Sequence, residues 1–250
     1  MKAAVIYENG GPEVLRYEEV PEPDCPSGFV VVDAEAISIE GGDLLARARG
    51  ALGTLPHIIG YLSAGTVSEV SPGVEGRAVG DRVVALNTAG SHAARRAVPA
   101  PMTWPIPPTL DAGRAACIPV AFGTAYECLF TAGQLTEGQT VLIHGGSGGV
   151  GVAAIQLAKR AGATVIATAS SDEKLQRLRA LGLDHGINYR TERFVERTNQ
   201  LTHGRGVEVV IDPIGGQTLV DSVSVLAYRG TVVSVGVAAR AGSSIEAQLL

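Results

Sequence analysis

Thr140-Val-Leu-Ile-His144, Gly145-Gly-Ser-Gly-Gly-Val-Gly151 and Val152-Ala-Ala-Ile-Gln-Leu-Ala-Lys159 read in succession as a buried strand, a tight glycine turn and a helix. Gly146, Gly148 and Gly151 fit G-x-G-x-x-G in the strand-to-helix setting that a dinucleotide fingerprint requires. Gly146 permits the sharp turn, Gly148 lets backbone approach a pyrophosphate, and Gly151 lets the helix pack on the strand. The helix start then offers free N–H groups and a positive dipole end to phosphate. The same letters carry rivals. A P-loop lacks its closing Gly-Lys-Ser/Thr. Gly145-Gly-Ser147-Gly-Gly149 satisfies G-x-S-x-G, a nucleophile elbow in which Ser147 would need His185 or His203 as base. A glycine turn with no ligand is the plain alternative.

The chain beyond the turn decides among them. Strand Gln139–His144 leads into helix Val150–Ala161, and strand Thr164–Ala169 into helix Ser171–Leu181, capped by Ser171 and closed by Gly182. A short strand Gly186–Tyr189 precedes helix Thr191–Leu201. Strand Val207–Asp212 precedes helix Gln217–Leu226, and strand Thr231–Val235 comes last. Such alternation specifies α/β architecture with a doubly wound parallel sheet, whose first turn is where dinucleotides bind. The elbow loses ground, because its oxyanion hole needs an earlier strand–loop unit of the same sheet. Gly146, Ser147, Gly148, Gly149, Val150 and Gly151 are therefore read as the cofactor turn.

The second strand bears on which nicotinamide cofactor is used. An acidic residue about 20 positions past the loop would hold the ribose 2′-OH of NAD. Here the strand ends Ala167-Thr-Ala-Ser-Ser171, with no carboxylate until Asp172. Ser170 and Ser171 leave room for a 2′-phosphate and Lys174 can supply charge, so NADPH is expected. Helix capping and a solvated face are the bland account of the same three residues.

Upstream, Lys2–Glu8, Leu15–Val20, Phe29–Ile39, Ala64–Val70, Asp81–Leu86 and His92–Val98 read as short strands between Gly/Pro turns, a barrel or rolled sheet. Ala100-Pro-Met-Thr-Trp-Pro-Ile-Pro-Pro108 reads as a connector between domains. Helical stretches come next at about Leu110–Ala116 and Ala121–Thr131. The expected division is 1–120 and 121–250. The 250 residues are 46% hydrophobic and 18% charged with net charge −5, enough for two cores and a poor match to nucleic acid. Cys25, Cys117 and Cys128 form no C-x-x-C pair and read as small, partly buried apolar residues in a reducing compartment. No apolar run is long enough to span a bilayer, and the N-terminus turns polar too early for a signal peptide. A soluble, cytoplasmic protein is expected.

With both halves read, the chain resembles the medium-chain dehydrogenase/reductase superfamily, in its zinc-free quinone oxidoreductase and enoyl reductase branch. The resemblance rests on Val79-Gly-Asp-Arg-Val83, Gly123-Thr-Ala-Tyr126, His144–Gly151, Val165–Ser171 with Lys174, Ile187-Asn-Tyr189 and Asp212-Pro-Ile-Gly-Gly216. It implies a GroES-like catalytic domain beside the Rossmann domain, with cofactor in the cleft between them. It implies Thr124 near the nicotinamide, and Ser170, Lys174 and Tyr189 around the adenosine phosphate. A helix cap for Thr124 and a core-edge tyrosine for Tyr189 are the structural alternatives.

Positions that hold catalytic zinc in the alcohol dehydrogenase branch carry Glu40 before Asp43, Tyr61-Leu62 after Gly60, and Val120 ahead of Thr124. One carboxylate without Cys or His partners cannot build that site, so no metal is expected. Without a Lewis acid, conjugated acceptors such as quinones and α,β-unsaturated carbonyls are favoured. Glu40 and Asp43 are the polar candidates near the chemistry, with structural hydrogen bonding as the competing account. A stand-alone enoyl reductase of polyketide-type substrates and a non-catalytic NADPH-binding protein are the alternatives. Relatives continue past Ala247-Gln-Leu-Leu250, so the C-terminal part of the family fold, with the strand that often forms a homodimer, is expected to be missing.

Overall fold

A computed structural model describes residues 1–245; the closing Ala247–Leu250 lies outside them. Contacts divide the chain into two units, Met1–Val120 and the residues from Ala121 onward.

The N-terminal unit holds two antiparallel sheets. β1 (Lys2–Ile6) pairs with β2 (Arg16–Glu19) and with a two-residue strand β4 (His57–Ile58). The larger sheet contains β3 (Phe29–Ile37), β5 (Leu62–Val70), β6 (Arg82–Leu86), β7 (Arg95–Pro99) and β8 (Thr103–Pro105), in the order β7-β3-β5-β6-β8. Alternating Val30 and Val32 of β3 point into a core with Val67, Val83 and Val98, as a period of two dictates. Gly65 sits where a Cβ would collide with the Asp33 carbonyl, so only glycine lets β5 approach β3 this closely.

Two expectations fail in this unit. Ala100–Pro108 is not a connector between the units. Its Thr103–Pro105 segment pairs with β6 as an edge strand, the one place a sheet tolerates proline, and Arg77 Nε ties Thr103 Oγ1 at 2.7 Å. The second is a helix, α1 (Gly41–Arg49), that the sequence conceals. Its Gly41-Gly42 start argues against helix, and Leu44 and Leu45 are exposed rather than forming a buried stripe. Asp43 initiates it by accepting the Glu40 N–H at 2.7 Å. α2 (Ala112–Ala116) begins on Asp111, whose Oδ1 accepts from Arg114 N at 2.9 Å.

α3 (Ile118–Tyr126) crosses the boundary, and from Ala121 it belongs to the second unit, where a π-helical turn at Glu127–Ala132 extends it. That unit then alternates: β9 (Thr140–Ile143), α4 (Gly149–Arg160), β10 (Thr164–Ala169), α5 (Asp172–Arg179), β11 (His185–Asn188), α6 (Phe194–Leu201), β12 (Val207–Asp212), α7 (Gln217–Val223) and β13 (Leu226–Ser234). All strand pairs here are parallel, in the order β11-β10-β9-β12-β13. The fold is α/β, a Rossmann-type sheet together with a β-rich N-terminal unit. β9 and β12 flank the point where strand order reverses, the crevice at which such sheets bind ligands. One face packs Val141, Ile143, Ala154 and Leu175; the other packs Leu142, Ile166, Val210 and Phe194. β13 begins at Leu226 rather than near Thr231, because an irregularity in its register absorbs Arg229 and Gly230, which read as a turn in sequence. Of the cysteines, Cys128 is buried, Cys25 half-buried and Cys117 exposed, so Cys117 is not a core residue.

Candidate functional site

The glycine turn is built by close backbone approach. Gly145, not Gly146, takes the left-handed conformation (φ +63°). Gly146 is required for a different reason: a Cβ there would lie 2.8 Å from that of Ala167. Its N–H donates to the Thr168 carbonyl at 2.8 Å, pinning the turn to β10. A Cβ on Gly151 would meet the Gly145 carbonyl oxygen at 2.5 Å and Gly146 Cα at 2.7 Å, so helix and turn touch through bare backbone. Gly148 caps α4 with no side-chain acceptor, leaving the dipole end of a 12-residue helix to whatever approaches. Ser147 and Gly149 are exposed at the tip, and Val150 is half-buried behind them.

A cavity of about 460 Å³ opens beside this turn. Gly145 and Ser147 of the turn line it together with Ser170, Lys174 and Tyr189, so the residues expected at the pyrophosphate and at the adenosine phosphate share one space, whereas Thr124, expected toward the nicotinamide, does not line it. Lys174 Nζ donates to Ser170 Oγ at 3.0 Å. Ser171 is held as the cap of α5, its Oγ accepting from Lys174 N at 3.4 Å. Asp172, the nearest carboxylate to the end of β10, accepts from the Asn188 amide at 3.1 Å and does not line the cavity. Tyr189 is 54% exposed, which removes the core-edge account of it. An ammonium and a hydroxyl at one end and uncapped helix N–H groups at the other are the donor set that a phosphorylated nucleotide requires.

Thr124 lies within α3, not at a cap. A Cβ on Gly149 would reach that of Ala121 at 3.8 Å, and Thr124 sits one helical turn from Ala121, on the side of α3 nearest the turn. His144, Thr168, Ala169, Phe194, Ile214 and Thr218 also line the cavity, and the sequence assigned none of them a role in it. No local signal marks them, since a strand threonine and a first-turn phenylalanine are ordinary core residues. The elbow reading is overturned. His185 and His203 line a separate cavity with Thr140 and Thr164, the first residues of β9 and β10, at the sheet edge opposite Ser147.

His144, the last residue before the turn, is 2% exposed and 4.7 Å from the Phe194 ring, edge to face. Burial holds its pKa down to about 4, against the opposing charge of Asp212. The folded pKa lies below the unfolded value of 6.5. The neutral ring's contribution is therefore fully present above the unfolded pKa and is lost as pH falls toward the folded one, where only the unfolded chain takes up the proton. On the order of 3 kcal/mol should disappear over that window. Urea midpoints measured from about pH 7 down to about pH 4.5 should fall less steeply in His144→Phe than in the parent.

Glu40 and Asp43 belong to the N-terminal unit, where both carry structural bonds. Ser38 Oγ donates to Glu40 Oε1 at 3.0 Å, and Asp43 caps α1. Asp43 is 1% exposed, and its Oδ1 has no partner among the described residues. The carboxylate acts on the charges of His92 and Arg96. Arg96 is 3% exposed and bonds the carbonyls of Tyr61 and Ala89, each at 3.0 Å. Burial brings its pKa down to about 10, while Asp43 opposes the shift. Among the described residues, no group of three or more His, Cys, Asp or Glu side chains could hold a metal ion.

The model of the alcohol dehydrogenase GroES-like domain matches residues 26–108, and that of the zinc-binding dehydrogenase matches residues 149–250. The 2-haloacrylate reductase of a Burkholderia species is 36% identical over 241 residues, 94% of this chain and 72% of that protein. The chain belongs to the medium-chain dehydrogenase/reductase superfamily. Within it, the relatives place it in the zinc-free quinone oxidoreductase branch, a group of oxidoreductases. The Escherichia coli quinone oxidoreductase complexed with NADPH superposes with a TM-score of 0.93 at 31% identity, covering the whole of this chain and 77% of that one. The phthioceranic/hydroxyphthioceranic acid synthase of Mycobacterium tuberculosis is 35% identical over 230 residues, 90% of this chain but only 10% of the synthase. No helix among the described residues of this superfamily member is long and apolar enough to cross a membrane.

Proposed function

We propose that the chain is an NADPH-dependent reductase that passes hydride to a quinone or α,β-unsaturated carbonyl without zinc. The observation that carries this is the pairing of Lys174 with Ser170 in the cavity beside the glycine turn, with Asp172 turned away to Asn188. A carboxylate facing the ribose would repel a 2′-phosphate; here the facing groups are an ammonium and a hydroxyl. The NADPH named for the E. coli relative agrees with that chemistry.

In this reading the turn Gly146–Gly151 receives the pyrophosphate on the N–H groups of Ser147, Gly149, Val150 and Gly151 and on the α4 dipole, while the Gly146 and Gly148 N–H groups hold the turn itself through the Thr168 and Gly145 carbonyls. Ser170, Ser171, Lys174 and Tyr189 hold the adenosine phosphate end, and Thr124 lies toward the nicotinamide. Bound NADPH would supply hydride, and the protein's part is to orient the cofactor and keep water out. Asp43 and Glu40 already hold α1 and Ser38 through hydrogen bonds. Their role in the chemistry is therefore indirect, through the shape of the N-terminal unit. A stand-alone enoyl reductase of polyketide-type substrates is the second reading, favoured by the 35% identity to one segment of the mycobacterial synthase.

The cofactor assignment is tested with Lys174→Ala. Loss of one charged contact to phosphate should weaken NADPH binding by about 10- to 100-fold, roughly 1.5–3 kcal/mol, and leave NADH binding unchanged. Fluorescence titration of both cofactors reads this directly; an equal loss for NADH would mean that Lys174 does not face the 2′-phosphate. Turnover of a panel of quinones, enones and enoyl thioesters at saturating NADPH then separates the two readings.

A further inference from the structure

The turn is held by more than backbone. Thr168 Oγ1 accepts from Gly145 N at 3.2 Å, and His144 Nδ1 lies 3.3 Å from the same hydroxyl. On the other side of the ring, His144 Nε2 lies 3.0 Å from Ser222 Oγ. Ser222 in turn donates to the Thr218 carbonyl, one turn back along α7, at 2.7 Å.

The available protons give this set a single direction. A carbonyl only accepts, so the one hydroxyl proton of Ser222 is committed to Thr218. Ser222 must then accept from His144, which places the imidazole proton on Nε2. Burial keeps the ring neutral, so Nδ1 is bare and accepts from the Thr168 hydroxyl. That uses the only proton of the Thr168 hydroxyl, whose lone pairs remain for the Gly145 N–H. The chain runs Gly145 N–H to Thr168, Thr168 to His144, His144 to Ser222, and Ser222 to the Thr218 carbonyl. Every member is satisfied, and the edge-on contact with Phe194 fixes the ring plane.

We propose that His144, locked as its Nε2–H tautomer, is a positioning residue that ties α7 to the cofactor turn. His144, Thr168 and Thr218 all line the cavity and Ser222 stands behind them, so a polarised wire joins two of its walls. The binding consequence rests on the reading of this cavity as the NADPH site; the tautomer does not.

The experiment uses the full chain labelled with 15N-histidine, with Thr168→Val as the shape-conserving break and Thr168→Ser as the conservative rescue. Long-range 1H–15N correlations should show one buried histidine with a protonated Nε2 and a bare Nδ1 between about pH 7 and about pH 5.5. In Thr168→Val, NADPH binding measured by fluorescence should weaken about tenfold, and the buried histidine should lose its fixed Nε2–H tautomer. Thr168→Ser should restore the affinity. A protonated Nδ1 in the parent overturns the proposal, as does a Thr168→Val protein that binds NADPH like the parent. If the tautomer is found but no form of the protein binds NADPH, the cofactor reading fails and the positioning role falls with it.

Discussion

Arg96→Met should cost the N-terminal unit about 3–5 kcal/mol, the penalty for removing one member of a buried charged set. Methionine fills much of the same volume, so little of this loss is a cavity. The cost comes from what is left behind. The Tyr61 and Ala89 carbonyls lose their guanidinium donors, and the almost wholly buried Asp43 loses a cation whose charge acts on it from β7. Tyr61 precedes β5 and Ala89 lies in the loop before β7, so Arg96 is what fastens those two segments together. Urea denaturation followed at Trp104, which lies in β8 of the same unit, would report the shift. A midpoint within experimental error of the parent would mean that the buried guanidinium contributes nothing net. Asp43→Asn should be milder, because the amide keeps an oxygen for the Glu40 N–H.

The second large effect is expected at Gly151. Valine there places side-chain carbon against the Gly145 carbonyl oxygen and Gly146 Cα, neither of which is a flexible group that can swing aside. The turn must move away from α4, and the bonds from Gly145 to Thr168 Oγ1 and from Gly146 to the Thr168 carbonyl lengthen together. Overpacking of this kind costs roughly 1–3 kcal/mol in stability. NADPH affinity should fall much further, by more than about 100-fold, because phosphate recognition depends on several N–H groups held in one geometry. Isothermal titration of NADPH against a variant shown by circular dichroism to be folded separates the two effects. A folded Gly151→Val protein with parental affinity would show that the turn is not the phosphate site.

The Rossmann unit was legible because its signals are local. The change from period two to strand–helix alternation, the glycine run and the Ser171 cap each lie within a few residues of what they determine. α1 was not legible, because it opens on two glycines and its Leu44 and Leu45 face outward; only the capping carboxylate of Asp43 marks its start. Arg96 gave no signal either, since a charged residue in a strand ordinarily faces water, and nothing nearby announces that two distant carbonyls will claim it. The His144 wire shows the same limit. Its partners lie 24 and 78 residues away, so the ring's environment exists only once β9, β10 and α7 are assembled. Ser147 and the two distal histidines show the converse: a motif can be matched in letters while the fold sends its proposed partners to the far edge of the sheet.

The strand order has a consequence for synthesis on the ribosome. β9 is central, yet its second neighbour, β12, registers Val209 against Val141 and Ile211 against Ile143, a long stretch of chain later. While the intervening chain emerges, β9, β10 and β11 can form only half a sheet, with Val141–Ile143 presented along an unpaired edge. Such an edge is a template for pairing with another nascent copy. The interval before β12 arrives is therefore when aggregation competes most strongly with folding. Slowed translation between residues 190 and 212 should lower soluble yield more than the same pause placed after β12.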